Sequence, residues 1–333
     1  MNTRGARLIA SLATLLIVAA GVRLLVTSGG FAWPESWVYF ELRAHSTIAA
    51  IAIGAALSVS GVVLQSMLRN PLASEYVLGL TAGAGLGVVV ATYIAFRITG
   101  EIMSYNPPAA APVIGAAGAL GLVYALGRRG GVLDPTVLIL VGVIIGIVCA
   151  ALTTLFQYLL PDQGLAVYTR WLMGNISGDT PWPRLWGVLA LAAAGTAVAA
   201  WLGPWFDAAS LGDDEAASVG VPLRRLRVFG FVLASALTGS TVLLAGPIGF
   251  IGLVCPHLVR RLSGASHRSL MVASALCGSV VLLVADAGVT AFTVSTGHLP
   301  VGVLTALIGG PLFIVMLRSR GVLGTTPQFG GGA

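Results

Sequence analysis

Lysine is absent from all 333 residues, so every one of the 18 basic side chains is an arginine. That absence removes whole classes of chemistry. A Walker A loop needs a lysine to reach the nucleotide phosphates, and a retinal Schiff base needs a lysine amine, so the chain does not hydrolyse ATP through a P-loop of its own. Charge of either sign is scarce. Charged residues make up 9% of the chain and hydrophobic ones 57%, where a soluble domain carries roughly 25% charged. So few charges cannot cover a water-facing surface, which excludes a soluble globular protein. Cysteine is limited to Cys149, Cys255 and Cys277. All three lie in apolar runs and no two have CxxC or metal-ligand spacing, so they read as small buried residues. The four histidines, His45, His257, His267 and His298, are scattered and no HExxH occurs, which leaves no zinc site to expect. A GxSxG nucleophile motif is missing as well.

What the chain does have is long apolar runs without alternation. About 20 apolar residues cross a bilayer as a helix, and backbone groups in lipid must be paired internally. The runs therefore predict an all-α polytopic membrane protein with about ten transmembrane helices, over 6–26, 46–68, 77–97, 109–127, 134–160, 184–203, 224–244, 247–260, 269–290 and 299–317. The first run has a basic start like a signal peptide, but many spans follow and no clear small-x-small site precedes "TSGG", so it reads as a retained helix. The eighth is too short to cross alone.

The net charge of +6 does not point to nucleic acid, because the arginines lie between apolar runs, as membrane orientation requires. With both termini inside, Arg4, Arg7, Arg69, Arg128, Arg129, Arg224, Arg225, Arg227, Arg260, Arg261, Arg268, Arg318 and Arg320 are cytoplasmic. Arg23, Arg43, Arg97, Arg170 and Arg184 fall at or near the outer side. The imbalance favours an N-in, C-in topology.

The longest inside loop, "GPWFDAASLGDDEAASVGVPLRRLR", carries helical signals. Asp213, Asp214 and Glu215 suit the first turn of a short helix, Gly220 its C-terminal cap, and Pro222 the next first turn. It reads either as a solvated connector or as a docking surface for a cytoplasmic partner. In the outer loop, Trp171, Trp182 and Trp186 fit an interfacial aromatic belt. Asn70-Pro71 ends a helix beside Arg69, and Gly79, Gly83, Gly85 and Gly87 permit either close helix packing or irregular backbone lining a pathway. Asp286 is the acid deepest within a predicted span, near its outer end. An intramembrane acid is a proton-relay candidate, but a single one without a paired partner favours a helix-packing role.

Six stretches carry a resemblance: "GAALSVSGVVLQSMLRNPLA" (54–73), "LGLTAGAG" (78–85), "RWLMGNISG" (170–178), "LGDDEAASVGV" (211–221), "AGPIGFIGLVCPHLVRRLSGASHR" (245–268) and "LPVGVLTALIGGPLFIVML" (299–317). In this order they resemble the FecCD-type permease subunits of binding-protein-dependent ABC importers for ferric siderophores, haem and cobalamin, over nearly the whole chain after the first span. The resemblance implies a single transmembrane permease domain, 1–333, forming a homodimer of ten-helix subunits in the bacterial inner membrane. It implies two ATP-binding subunits inside, holding ATP and magnesium, a periplasmic substrate-binding protein outside, and no cofactor on this chain. It places coupling helices in 205–227, with Leu211, Gly212, Asp213, Glu215, Ala216, Ala217, Gly220 and Val221 as the ATPase contacts. Arg69, Asn70, Pro71, His257 and Arg260 fall at the cytoplasmic edge, and Leu80, Thr81, Ala82 and Gly83 near the gate.

The sequence also departs from the family's pattern. Before the second span it reads "LRAHS" where the family has "LRLPR", and before the last span "GHLPVG" where the family has "GELPVG". An arginine common after the Asp is absent around Thr290. Arg43, His45 and His298 are therefore the expected binding-protein contacts, with both histidines read as solvated loop residues. Outside this class, a proton-coupled secondary transporter and an intramembrane enzyme are the competing functions.

Overall fold

An apolar chain satisfies its backbone most locally through i→i−4 hydrogen bonds, and here nearly every run does so. The structure, a computed structural model, describes residues 3–27, 29–100, 110–129, 132–133, 135–161, 168, 171–263, 266–294 and 297–318. Among them the helices are α1 (Thr3–Leu25), α2 (Trp37–Met67), α3 (Leu80–Thr99), α4 (Ala110–Leu126), α5 (Pro135–Tyr158), α6 (Trp182–Trp201), α7 (Gly203–Leu211), α8 (Asp213–Ser218), α9 (Leu223–Ala245), α10 (Ile251–Ser263), α11 (His267–Ala291) and α12 (Val301–Arg318). Three two-residue hairpins close loops: β1 (Val26–Thr27) with β2 (Gly30–Phe31), β3 (Arg128–Arg129) with β4 (Val132–Leu133), and β5 (Thr293–Val294) with β6 (Gly297–His298).

Seven helices, α1, α2, α3, α5, α6, α9 and α11, are long and apolar enough to cross a membrane, while α4 and α12 are shorter apolar helices. The ten apolar runs of the sequence fall on these nine and on α10. The largest difference in an edge is at α2, which begins nine residues before the expected start. Ser36 stands at its N-cap position, and the polar stretch that reads as loop continues the helix. His45, Ser46 and Thr47 return their side chains to the carbonyls of Glu41, Leu42 and Arg43, so their polarity is absorbed by the helix itself.

α2 is the central element and packs against α6, α9, α10 and α11. It runs antiparallel to α11, with Ser66 meeting His267 at one end and Ser279 donating to the Ile51 carbonyl further along. α1 lies outside and parallel to α11, with Gly5 over Ser269 and Arg23 beside Asp286. α3 and α4 pair through glycine: a Cβ on Gly115 would stand 2.1 Å from the Gly83 carbonyl oxygen.

Pro256 lies inside a continuous helix of 13 residues. A proline has no N–H for the carbonyl four residues back, which is that of Gly252. Gln65 of α2 fills the gap, its Nε2 donating to the Gly252 oxygen at 3.3 Å. That oxygen lies 1.8 Å from where a Cβ on Gly61 would be, so glycine at 61 is what lets α2 approach.

Candidate functional site

The densest polar construction in this apolar molecule gathers where α2 ends, α7 and α8 lie, and α9 and α11 begin. α8 forms as its residues predict. Asp213, Asp214 and Glu215 fill its first turn, and the Gly212 carbonyl accepts from the Ala216 amide at 3.1 Å. Gly220 adopts φ +79°, its amide donating to the Ala217 carbonyl, and the Val221 amide donates to that of Ala216. This left-handed exit suits glycine. Ala216 is buried and Ala217 is exposed, while Leu211 and Val219, at the two ends of α8, are 76% and 68% exposed.

Arg69 and Arg227 anchor α8 from below. Arg227 Nη2 donates to both Asp213 oxygens at 2.8 and 2.9 Å, and Arg69 reaches Asp213 as well as the Ala209 carbonyl, 2.9 Å from its Nε. Arg69 takes φ +45°, a conformation that costs a non-glycine residue about 1–3 kcal/mol and that two anchoring contacts hold in place. Burial works against ionisation of Asp213, but hydrogen bonds and charge from Arg227 and Arg69 outweigh it and hold the carboxyl below its ordinary range. Asn70 closes the turn after α2, its Oδ1 accepting from the Leu72 amide, followed by Pro71.

A second cluster joins α7 to α11 and α2. Asp207 Oδ1 accepts from the His267 amide at 2.9 Å and from its Nδ1 at 2.6 Å. The other ring nitrogen is 2.7 Å from Ser66 Oγ, and Arg260 Nη2 donates to the same oxygen at 3.5 Å. Burial pushes the Asp207 carboxyl up, but the His267 hydrogen bonds and the His267 and Arg260 charges leave it below its ordinary range. An Asp–His–Ser order suggests an acyl-transfer triad, the constellation the intramembrane-enzyme reading requires. Ser66 is 4% exposed, however, and its hydroxyl donates to the Val62 carbonyl at 2.7 Å. It is not presented to a substrate.

Other sequence-predicted residues fall elsewhere. Leu80 and Thr81 open α3 and are buried, with Ala82 half-buried. Gly83 and Gly87 contact the α4 backbone, the close-packing alternative for these glycines. His257 is buried in α10 with its ring edge-on to Phe313. His45 is not a solvated loop residue. It is buried in α2 with its ring 3.7 Å from that of Trp182, whose Nε1 donates to Glu41. Arg43 is committed inward, its Nη1 donating to the Leu24 and Ala32 carbonyls on both sides of the first hairpin. His298 lies in β6 and its side chain is outside the described residues, as are Arg170 and Arg320. Of the expected aromatic belt, Trp186 is exposed and stacks on Trp182, but Trp171 is buried against Tyr168. Asp286 does have a partner, the Arg23 guanidinium, and both are buried.

Sequence reasoning missed Asp207, Ser66 and Glu75. Glu75, in the connector from α2 to α3, is 1% exposed, and neither carboxyl oxygen has a hydrogen-bond partner. Burial raises its pKa to about 7, with a backbone hydrogen bond pulling the other way. The signal was an acid inside the apolar stretch "PLASEYVLGL".

Comparison with known proteins gives one answer. The profile described as the FecCD transport family matches residues 8–319. The vitamin B12 import system permease protein BtuC of Citrobacter koseri is 33% identical over 328 residues, covering 95% of this chain and 96% of the relative. The hemin transport system permease protein HmuU of Yersinia pestis is 34% identical over 285 residues, 85% of this chain and 84% of the relative. A solved structure of a metal-chelate type ABC transporter in an inward-facing conformation superposes with a TM-score of 0.81 at 30% identity, covering 94% of this chain and 99% of that one.

Proposed function

This chain belongs to the FecCD transport family, and on that premise we propose that it is the membrane-spanning permease of an ABC importer for large metal chelates. It is a multi-pass membrane protein. In this reading ten helices cross the bacterial inner membrane, the seven long ones together with α4, α10 and α12, and both termini face the cytoplasm. The permease works as a homodimer. Two separate ATPase subunits bind ATP and magnesium below it, and a periplasmic binding protein delivers cargo from above. The chain makes and breaks no covalent bond. It converts motion at its inner face into a switch of access across the membrane.

The observation that carries this reading is the build of α7 and α8. Two short helices stand outside the spans, and Arg69, Arg227 and His267 tie them to the ends of three long helices. The exposed Leu211 and Val219 bracket Ala217 on the outer side of α8. Exposed apolar side chains over an anchored base suit a protein contact, and the anchors give that contact leverage on the bundle. Gly212, Asp213, Glu215, Ala216, Gly220 and Val221 shape the helix, and Leu211, Ala217 and Val219 meet the ATPase.

A proton-coupled transporter is the weaker reading. Its best acid, Asp286, is held by Arg23 at the rim between α1 and α11, where it serves helix packing. For cargo, an iron chelate, haem or a ferric siderophore, is the first choice and cobalamin the second. Identities of 34% to the hemin permease and 33% to the vitamin B12 permease weigh both alike.

The test is reconstitution with the ATPase and binding protein. Uptake should require ATP and stop with vanadate, and Ala217→Arg should abolish uptake while the dimer stays intact. Uptake that ignores ATP and follows a pH gradient overturns the reading.

A further inference from the structure

Asp207 belongs to α7, His267 is the first residue of α11, and Ser66 sits in the last turn of α2. Their hydrogen bonds, at 2.6 and 2.7 Å, form one line across three helices. The Asp207 side chain is 40% exposed and that of His267 3%, so the line starts at the surface and ends in the core. Fully buried Phe206, next to Asp207, lies flat near the His267 ring at 6.1 Å between centroids. From Ser66 the line enters the α2 backbone through the Val62 carbonyl.

This construction has a mechanical consequence. A shift of α7 must either take His267 and Ser66 with it or leave buried polar groups without partners, at about 1–3 kcal/mol for each. The first course is the less costly, so the end of α2 follows α7. The chain then runs directly through the connector that carries Glu75, whose carbonyl accepts from the Leu80 amide at 3.0 Å, and into α3 at Leu80 to Gly83. Resting on the reading of 205–227 as the ATPase contact, we propose that Asp207, His267 and Ser66 are positioning residues for transport. They make the α2–α3 connector move with α7, alongside the Arg69–Asp213 contact.

The reconstituted complex tests this through the amount of chelate moved per ATP hydrolysed. A merely structural role would scale transport and hydrolysis together with the amount of assembled complex. Ser66→Ala removes the hydroxyl. His267→Asn keeps a donor for Asp207 but is too short to reach Ser66. Each should lower transport per ATP about tenfold, within the usual range of a coupling free energy, while hydrolysis per assembled complex stays within about twofold. Ser66→Thr, which restores a hydroxyl, should recover the ratio. Should His267→Asn fail to assemble, His267→Gln, closer in volume, keeps the reach to Ser66 but loses the Nδ1 contact with Asp207, and should Ser66→Ala fail, Ser66→Cys replaces the hydroxyl with a thiol, a weak hydrogen-bond partner. An unchanged ratio in these variants, or transport that falls only with hydrolysis, overturns the proposal and leaves the permease reading standing. A wild-type complex that transports without ATP removes both.

Discussion

α1 and α2 are nearly equal in apolar character, and both are long enough to cross a membrane. In the folded chain they have opposite surroundings. Within the most apolar 18-residue window of each, 83% of α2 is buried and 6% of α1. The difference lies in what the small residues meet. α2 carries "AAIAIGAALSVSG" over 49–61, so glycine, alanine and serine occur on every face and four helices can close on it. Without a hydrophobic drive between helices in lipid, such close approach is what holds a bundle together. α1 is as rich in small residues over its whole length, but Ala10, Ser11 and Gly21 are exposed together with Leu15, Ile17, Val18 and Val22. It touches the bundle mainly along α11. Hydropathy says that a segment enters a membrane; whether its small residues meet other helices says how deep in the bundle it sits.

This comparison can be broken most severely at Gly61. Gly61→Val drives a side chain into the Gly252 carbonyl, which is backbone and cannot turn aside. A loss of about 5 kcal/mol or more is expected, at the upper end for single substitutions, read as the disappearance of monodisperse protein in size-exclusion chromatography. Normal yield would show that α2 does not need this contact. Next comes the polar contact that fastens α1. Arg23→Ala takes the guanidinium away from buried Asp286 and should cost about 3–4 kcal/mol, whereas Arg23→Met with Asp286→Leu should restore most of it. Thermal unfolding in detergent distinguishes the two, and equal melting of single and double variants would mean that the pair holds nothing.

Glu75, just beyond α2, gives a pH signature. The folded carboxyl keeps its proton up to about pH 7, while the unfolded one releases it near the ordinary 4.5. The folded state therefore binds more protons between these values. The contribution of Glu75 to stability is highest below about 4.5, falls as pH rises toward 7, and is level above it. The fall amounts to about 3 kcal/mol. In Glu75→Gln the melting temperature should lose this slope; an unaltered slope would assign it to another group. The smallest effect belongs to α1. A Cβ on Gly21 meets nothing within 4 Å, so Gly21→Ala should change stability by less than about 1 kcal/mol, against collapse for the bulkier change at Gly61. A large loss here would mean that another chain packs on that face.

Much of this was legible in the residues. The apolar runs locate the helices, and α8 begins and ends where its three acids and Gly220 place it. The six family stretches identify the transport family before any contact is known. Arg43 and His45 show where reading fails. A polar stretch looked like a loop because its side chains were expected to face water, yet His45 folds back on its own helix and onto Trp182, and Arg43 reaches the first hairpin. How Pro256 is tolerated inside α10 was not legible, because the donor that serves the Gly252 carbonyl, Gln65, lies 187 residues away. Glu75 and Asp207 went unnoticed because a single acid in an apolar stretch carries no spacing signal.

The sequence alone determined that this is a helical membrane protein of the FecCD family without an ATPase motif, since composition, run length and local motifs are properties of each segment by itself. Only the tertiary structure decided which of two equally apolar helices is central, that Arg23 meets Asp286, and that Asp207, His267 and Ser66 form one line. Those contacts join residues 60 to 263 positions apart, and such pairs exist only once close packing has brought their helices together.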